Sequence, residues 1–162
     1  MTGTEIKVGI ADLNLVFDPG LIMTIGLGSC IGIALYDKTI KIAGLAHIML
    51  PDSTQFKTVA NPMKFANLAI PMLIERMEKQ GCKKSNIVAK IAGGASMFNF
   101  TDKSIISDIG KRNAESVKKT LKYEGIPIIA EDTGGDKGRT MIINAGDGKV
   151  TLKTVGKGII QL

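Results

Sequence analysis

Cys30 closes the run Thr24-Ile25-Gly26-Leu27-Gly28-Ser29-Cys30, and His47, the only histidine of the chain, lies in the apolar segment Gly44-Leu45-Ala46-His47-Ile48. A cysteine is a nucleophile only as thiolate, so it needs a neighbour that takes its proton. With a single histidine there is a single candidate base. Gly26, Gly28 and Gly32 surround Cys30 and suit a corner where the backbone turns sharply. Such a corner can push a side chain outward and leave N–H groups free to hold an oxyanion, with Gly28, Ser29 and Cys30 itself as the candidates. Thr24 stands six residues before Cys30, an even offset that puts two strand side chains on one face. A threonine hydroxyl that accepts from an imidazole N–H fixes the ring's tautomer, which is the third role in a triad.

Each of these residues also has a plain reading. Free cysteine is among the most buried residue types. A histidine between Ala46 and Ile48 can be a satisfied core residue, and threonine favours strands. Cys82, directly after Gly81, reads as packing because no histidine is left to serve it. Gly26-x-Gly28-x-x-x-Gly32 imitates a dinucleotide fingerprint, but a strand follows where a helix is needed. Gly134-Gly135-Asp136-Lys137-Gly138-Arg139 offers an anion cradle or, as the preferred reading, a flexible turn. The two cysteines form no CxxC and the chain lacks the ligands of a Cys/His zinc site, so no metal and no cofactor are expected.

The chain carries 21 Lys and Arg against 15 Asp and Glu, a net charge of +6 spread along its length. That balance favours an acidic partner. It does not select nucleic acid, since five phenylalanines and two tyrosines with no basic–aromatic interleaving leave little for base stacking. No leader and no apolar run of spanning length is seen, so a cytoplasmic protein with no membrane insertion is expected. The 162 residues suit one domain, residues 1–162.

The elements that must position these residues are mostly strands. Alternation at Ile6, Val8 and Ile10 predicts a first strand, and Asp18-Pro19-Gly20 a turn. Leu21 to Leu27 and Ile31 to Tyr36 read as strands either side of the Gly28-Ser29 corner. Asp37-Lys38-Thr39 turns the chain into the strand Ile40 to Met49, where Gly44 would admit the close approach of another segment. Asn61-Pro62 predicts the start of a helix that runs to Gln80 with Gly81 as its terminator, kinked or broken at Pro71. A strand follows at Asn86 to Ala92. A second helix starts near Ser107 or Asp108, buries Ile109, Val117 and Leu121, and stops at Glu124-Gly125. Strands are predicted near Ile126 to Ala130, Arg139 to Asn144 and Lys149 to Val155, the last two joined through Asp147-Gly148. Seven or eight strands with short turns and two helices indicate an α+β fold of mixed, largely antiparallel sheets.

The glycine–serine–cysteine block, Gly44-Leu45-Ala46-His47-Ile48-Met49-Leu50-Pro51, Lys90 to Phe98, Ile109-Gly110-Lys111-Arg112-Asn113 and Asp132 to Arg139 together resemble the chemoreceptor glutamine deamidases, the CheD family of bacterial chemotaxis. The likeness covers nearly the whole chain. It implies a protein-glutamine deamidase, an amidohydrolase acting on methyl-accepting chemotaxis receptors, with Cys30 as nucleophile, His47 as base and acid, and Thr24 orienting His47. It implies a sandwich of mixed sheets with helices outside, similar to deamidating bacterial toxins of the CNF1 type. It also implies CheC, a phosphatase of the response regulator CheY, as a partner. Two other classes use the same residues: a non-catalytic module that binds CheC or receptor, and a cysteine peptidase.

Overall fold

The computed structural model describes residues 3–96 and 109–162. The described residues form ten strands and two α-helices in the order β1 (Glu5–Val8), β2 (Asp12–Phe17), β3 (Leu21–Leu27), β4 (Ile31–Asp37), β5 (Ile42–Ile48), α1 (Ala66–Lys79), β6 (Ile87–Gly93), α2 (Ile109–Tyr123), β7 (Ile128–Thr133), β8 (Arg139–Asn144), β9 (Val150–Thr154) and β10 (Gly158–Gln161). The first sheet runs β1-β3-β8-β9-β10 and the second β2-β5-β4-β6-β7. β1 with β3 and β6 with β7 are parallel, and the other pairs are antiparallel.

Two apolar layers hold this together. Ile22, Leu27, Ala34, Leu45, Met141, Ile143 and their neighbours fill the space between the sheets. Ile31, Ile33, Leu35, Ile48, Leu73, Met77, Val117 and Leu121 fill the space between the second sheet and the helices. The mixed sandwich with helices outside is therefore present. β4 is buried from end to end because both its faces are covered, which is why it reads as an unbroken apolar run. Gly44 sits where α1 presses on β5: a Cβ there would lie 2.9 Å from Leu73 Cδ1 and 3.0 Å from Met77 Sδ.

Several boundaries differ from expectation. β1 ends at Val8, and Ile10 with Ala11 forms a turn, Ala11 taking a φ of 57°. Asn61 does cap, accepting from Met63 N at 3.0 Å, but what it caps is a single 3-10 turn over Pro62–Lys64. Phe65 is extended and α1 begins at Ala66. α1 is not broken at Pro71 but continues to Lys79. Its end is as expected: Gly81 takes a φ of 105°, while Gly81 N–H donates to Glu78 O and Cys82 N–H to Met77 O. Gly125 ends α2 with the same two-bond pattern. The predicted α2 start at Ser107 or Asp108, like Met97 and Phe98 of the resemblance, lies outside the described residues. Among the described residues no helix is long and apolar enough to cross a membrane.

Candidate active site

The corner Gly28-Ser29-Cys30 carries the chain from β3 in the first sheet to β4 in the second. Thr24 therefore projects from one sheet and His47 from the other. They meet in the layer between, with Thr24 Oγ1 2.6 Å from His47 Nδ1. The same hydroxyl donates to Val8 O at 2.7 Å. A hydroxyl has one hydrogen, so Thr24 must accept from Nδ1–H. That fixes the tautomer and leaves Nε2 as the basic nitrogen. Nε2 is buried and meets no partner among the described residues.

His47 is register partner to Gly32 of β4, and the ladder between β4 and β5 ends at Ile31 and Ile48. Cys30 lies two residues before Gly32. In an extended strand, Cys30 and His47 are then diagonal neighbours on one face, a relation that spans ~7–8 Å between backbone positions. Cys30 packs, half-buried, against the layer between the sheets. Gly32 lets side chains of the first sheet pack directly on that face: a Cβ there would meet Met141 Sδ at 2.8 Å and Leu27 Cδ1 at 3.0 Å. The parity of Thr24 with Cys30 carries nothing here, since the pairing register of β3 with β8 shifts between Thr24 and Leu27.

The corner is held by its carbonyls. Gly94 N–H donates to Cys30 O at 2.9 Å and Ala95 N–H to Gly28 O at 2.8 Å. Gly28 N–H is bonded to Gly26 O at 3.0 Å. No other described residue accepts from the N–H of Ser29 or Cys30, and these two are the candidate oxyanion donors of the corner.

Burial lowers the His47 pKa to about 4, so the ring is neutral at pH 7. Burial also pushes the Cys30 thiol up, opposed in part by its own backbone N–H. The resting pair is a thiol and an imidazole, with no preformed ion pair. Cys82 lies in the helix-side core, its thiol raised to about 11 chiefly by burial, as a packing residue should be.

What the Arg139 and Asn113 side chains hold becomes visible only in three dimensions. Arg139 is buried, donates to Gly93 O at 3.0 Å and Gly134 O at 2.7 Å, and pairs with Asp132 at 3.4 Å. The Gly134–Arg139 segment is thus a brace for the Gly93–Ala95 turn that holds Cys30 O. An isolated Arg or Asn gives no such signal in sequence. The dinucleotide reading fails because Gly26 to Gly32 joins two strands.

A sandwich whose two sheets bring a tautomer-fixed histidine and a corner cysteine to one face holds the residue types that thiol-dependent acyl transfer uses. The family model for CheD, chemotactic sensory transduction, matches residues 49–154. A protein of Clostridium botulinum strain Alaska E43, named probable chemoreceptor glutamine deamidase CheD, is 72% identical over 100% of both chains. One of Clostridium novyi with the same name is 68% identical over 98% of each chain. This chain belongs to the CheD family. In fold it is similar to the Neisseria meningitidis protein NMB0706, with a TM-score of 0.54 and 10% identity over 82% of this chain and 64% of the other.

Proposed function

We propose that this chain is a protein-glutamine deamidase that converts selected glutamines of methyl-accepting chemotaxis receptors to glutamate. The observation that carries the reading is the Thr24–His47 hydrogen bond, which leaves a basic Nε2, without a partner among the described residues, on the face that Cys30 also occupies. Names of relatives at 65–72% identity over nearly the whole chain supply the substrate class.

Both groups start neutral, so proton transfer accompanies attack. His47 Nε2 takes the Cys30 proton as Sγ bonds to the glutamine amide carbon. The carbonyl oxygen becomes an oxyanion, held by the N–H of Cys30 and of Ser29, with Gly28 shaping the corner. The imidazolium gives its proton to the departing nitrogen, and ammonia leaves a thioester. Water then loses a proton to His47, adds to the thioester carbon, and the C–S bond breaks. Glutamate is released and Cys30 regains its proton. The chemistry needs no cofactor.

A single domain, residues 1–162, working in the cytoplasm fits this role, and the sandwich is proposed to be of the deamidating-toxin type. CheC is the proposed second partner, docking at the same mouth as a receptor mimic. The net charge of +6 suits an acidic receptor surface.

The decisive experiment is mass spectrometry of a receptor cytoplasmic fragment after incubation. Deamidation adds about one dalton with no cleavage. Cleaved fragments would favour a peptidase, and unchanged mass with binding retained would favour a non-catalytic module.

A further inference from the structure

Helix α2 reaches the candidate site with one side chain. Asn113 is fully buried on the stripe Gly110, Asn113, Ala114, Val117 and Leu121. Gly110, one turn earlier, lets the helix close on the corner: a Cβ there would lie 2.5 Å from Ala95 O and 2.6 Å from Gly94 O. Asn113 is thereby set beyond the end of the β4–β5 ladder. Its Nδ2 donates to Ser29 O and to Met49 O, each at 2.9 Å. An amide nitrogen has two hydrogens, so both are in use. One side chain spans the two carbonyls that the ladder has left behind.

Those carbonyls belong to the segments that matter. Met49 is two residues past His47. Ser29 O is in the same peptide group as Cys30 N–H. A trans peptide is planar, with its C=O and N–H pointing opposite ways. Holding Ser29 O from the helix side therefore aims Cys30 N–H away from the helices. A carbonyl that accepts a hydrogen bond also polarises its own peptide N–H into a better donor.

We propose that Asn113 is a positioning residue that aims the Cys30 N–H at the oxyanion and ties the cysteine corner to the histidine strand. This rests on the deamidase reading above. Asn113 acts through Ser29 and Met49. Its Oδ1 is buried with no donor among the described residues. Such an acceptor is unfavourable in a core, a cost set against the two carbonyls that Nδ2 satisfies.

The test compares Asn113→Ala with Leu121→Ala, a cavity on the same buried stripe that hydrogen-bonds to neither carbonyl. Both are assayed well below their melting temperatures for ammonia release from a receptor fragment. Asn113→Ala should lower kcat by about 10- to 100-fold, because a misaimed donor fails the transition state. Its KM should stay within about twofold of wild type, since ground-state binding is untouched. Leu121→Ala should keep the wild-type kcat in its folded fraction. Equal kcat in the two variants overturns the proposal. If Asn113→Ala does not fold, Asn113→Ser, with one O–H to offer, replaces it and should show a smaller loss. A wild-type kcat in the serine variant, or failure of both to fold, assigns Asn113 to structure alone and overturns the proposal. A wild-type protein that releases no ammonia fails the deamidase reading itself, and the proposal with it.

Discussion

Thr24 and His47 are joined at 2.6 Å across the interior of the sandwich, each from a different sheet. The threonine's hydrogen is committed to Val8 O, so the direction of the bond to His47 is settled by elimination. Thr24→Val keeps the shape and removes the acceptor. It should lower turnover by about ten- to a thousandfold, and less than His47→Ala, which removes the base. Steady-state ammonia release from a receptor fragment measures both. Wild-type turnover in both variants would dismiss the pair.

Cys30→Ala should abolish deamidation and leave the fold intact. Cys30 is only half-buried, so little packing is lost with its sulfur. Melting followed by circular dichroism should show a cost below about 3 kcal/mol. A larger cost, with activity kept in the folded fraction, would make the cysteine structural.

Burial of neutral His47 predicts a pH dependence of stability. Its pKa is lowered from 6.5 to about 4 in the folded chain. Between these values the unfolded chain binds a proton that the folded chain refuses. Stability is therefore full above pH 6.5 and falls as pH drops toward 4, by on the order of 3 kcal/mol. Urea unfolding at pH 7 and pH 4.5 should show the loss in wild type and not in His47→Gln. The same loss in both would place its cause elsewhere.

Two glycines at positive φ should behave differently. Gly26, at 80°, has open space where a Cβ would go, whereas at Gly93, at 114°, a Cβ would stand 2.2 Å from Cys30 O. Gly26→Ala should cost only the left-handed backbone, about 1–2 kcal/mol. Gly93→Ala should cost more and also lower turnover, because the Cys30 carbonyl must move. Thermal melts and ammonia release on the same samples decide. Equal effects would show that Gly93 does not set the corner.

Binding should survive without chemistry. Cys30→Ala should still bind a receptor fragment, more weakly as salt rises, if charge steers the encounter. Fluorescence anisotropy across a salt series reads this. Salt-independent binding would remove the electrostatic part.

Cys30, His47, the glycine corner and β8 at Arg139–Asn144 were legible in the sequence, because residue type and alternation carry them. β2 was not, because Asp12 and Asn14 are poor strand formers, the run Leu15-Val16-Phe17 interrupts the alternation, and Ile10 extends the alternation of β1 past its true end. β10 was not, because all four of its residues are exposed at a sheet edge and no buried face imposes alternation. Pro62 looked like the first residue of a helix because a 3-10 turn uses the same N-terminal chemistry. Asn113 and Arg139 stood in blocks that carried the resemblance, but what each side chain holds was hidden for a different reason. Their meaning lies in carbonyls that folding brings to them from distant segments, and a carbonyl has no letter in the sequence.

The passage of the chain from one sheet to the other between Thr24 and Cys30 has a consequence for how activity arises. Thr24, Cys30 and His47 are close in sequence, yet a hairpin or fragment spanning them should not be competent. Thr24 needs β1 for Val8 O, and the corner needs the turn after β6 and the brace from β8. Competence is a property of the closed sandwich. Turnover should appear late in refolding, with the last docking of the two sheets, and a chain stalled with either sheet unformed should be inert however much strand content it has.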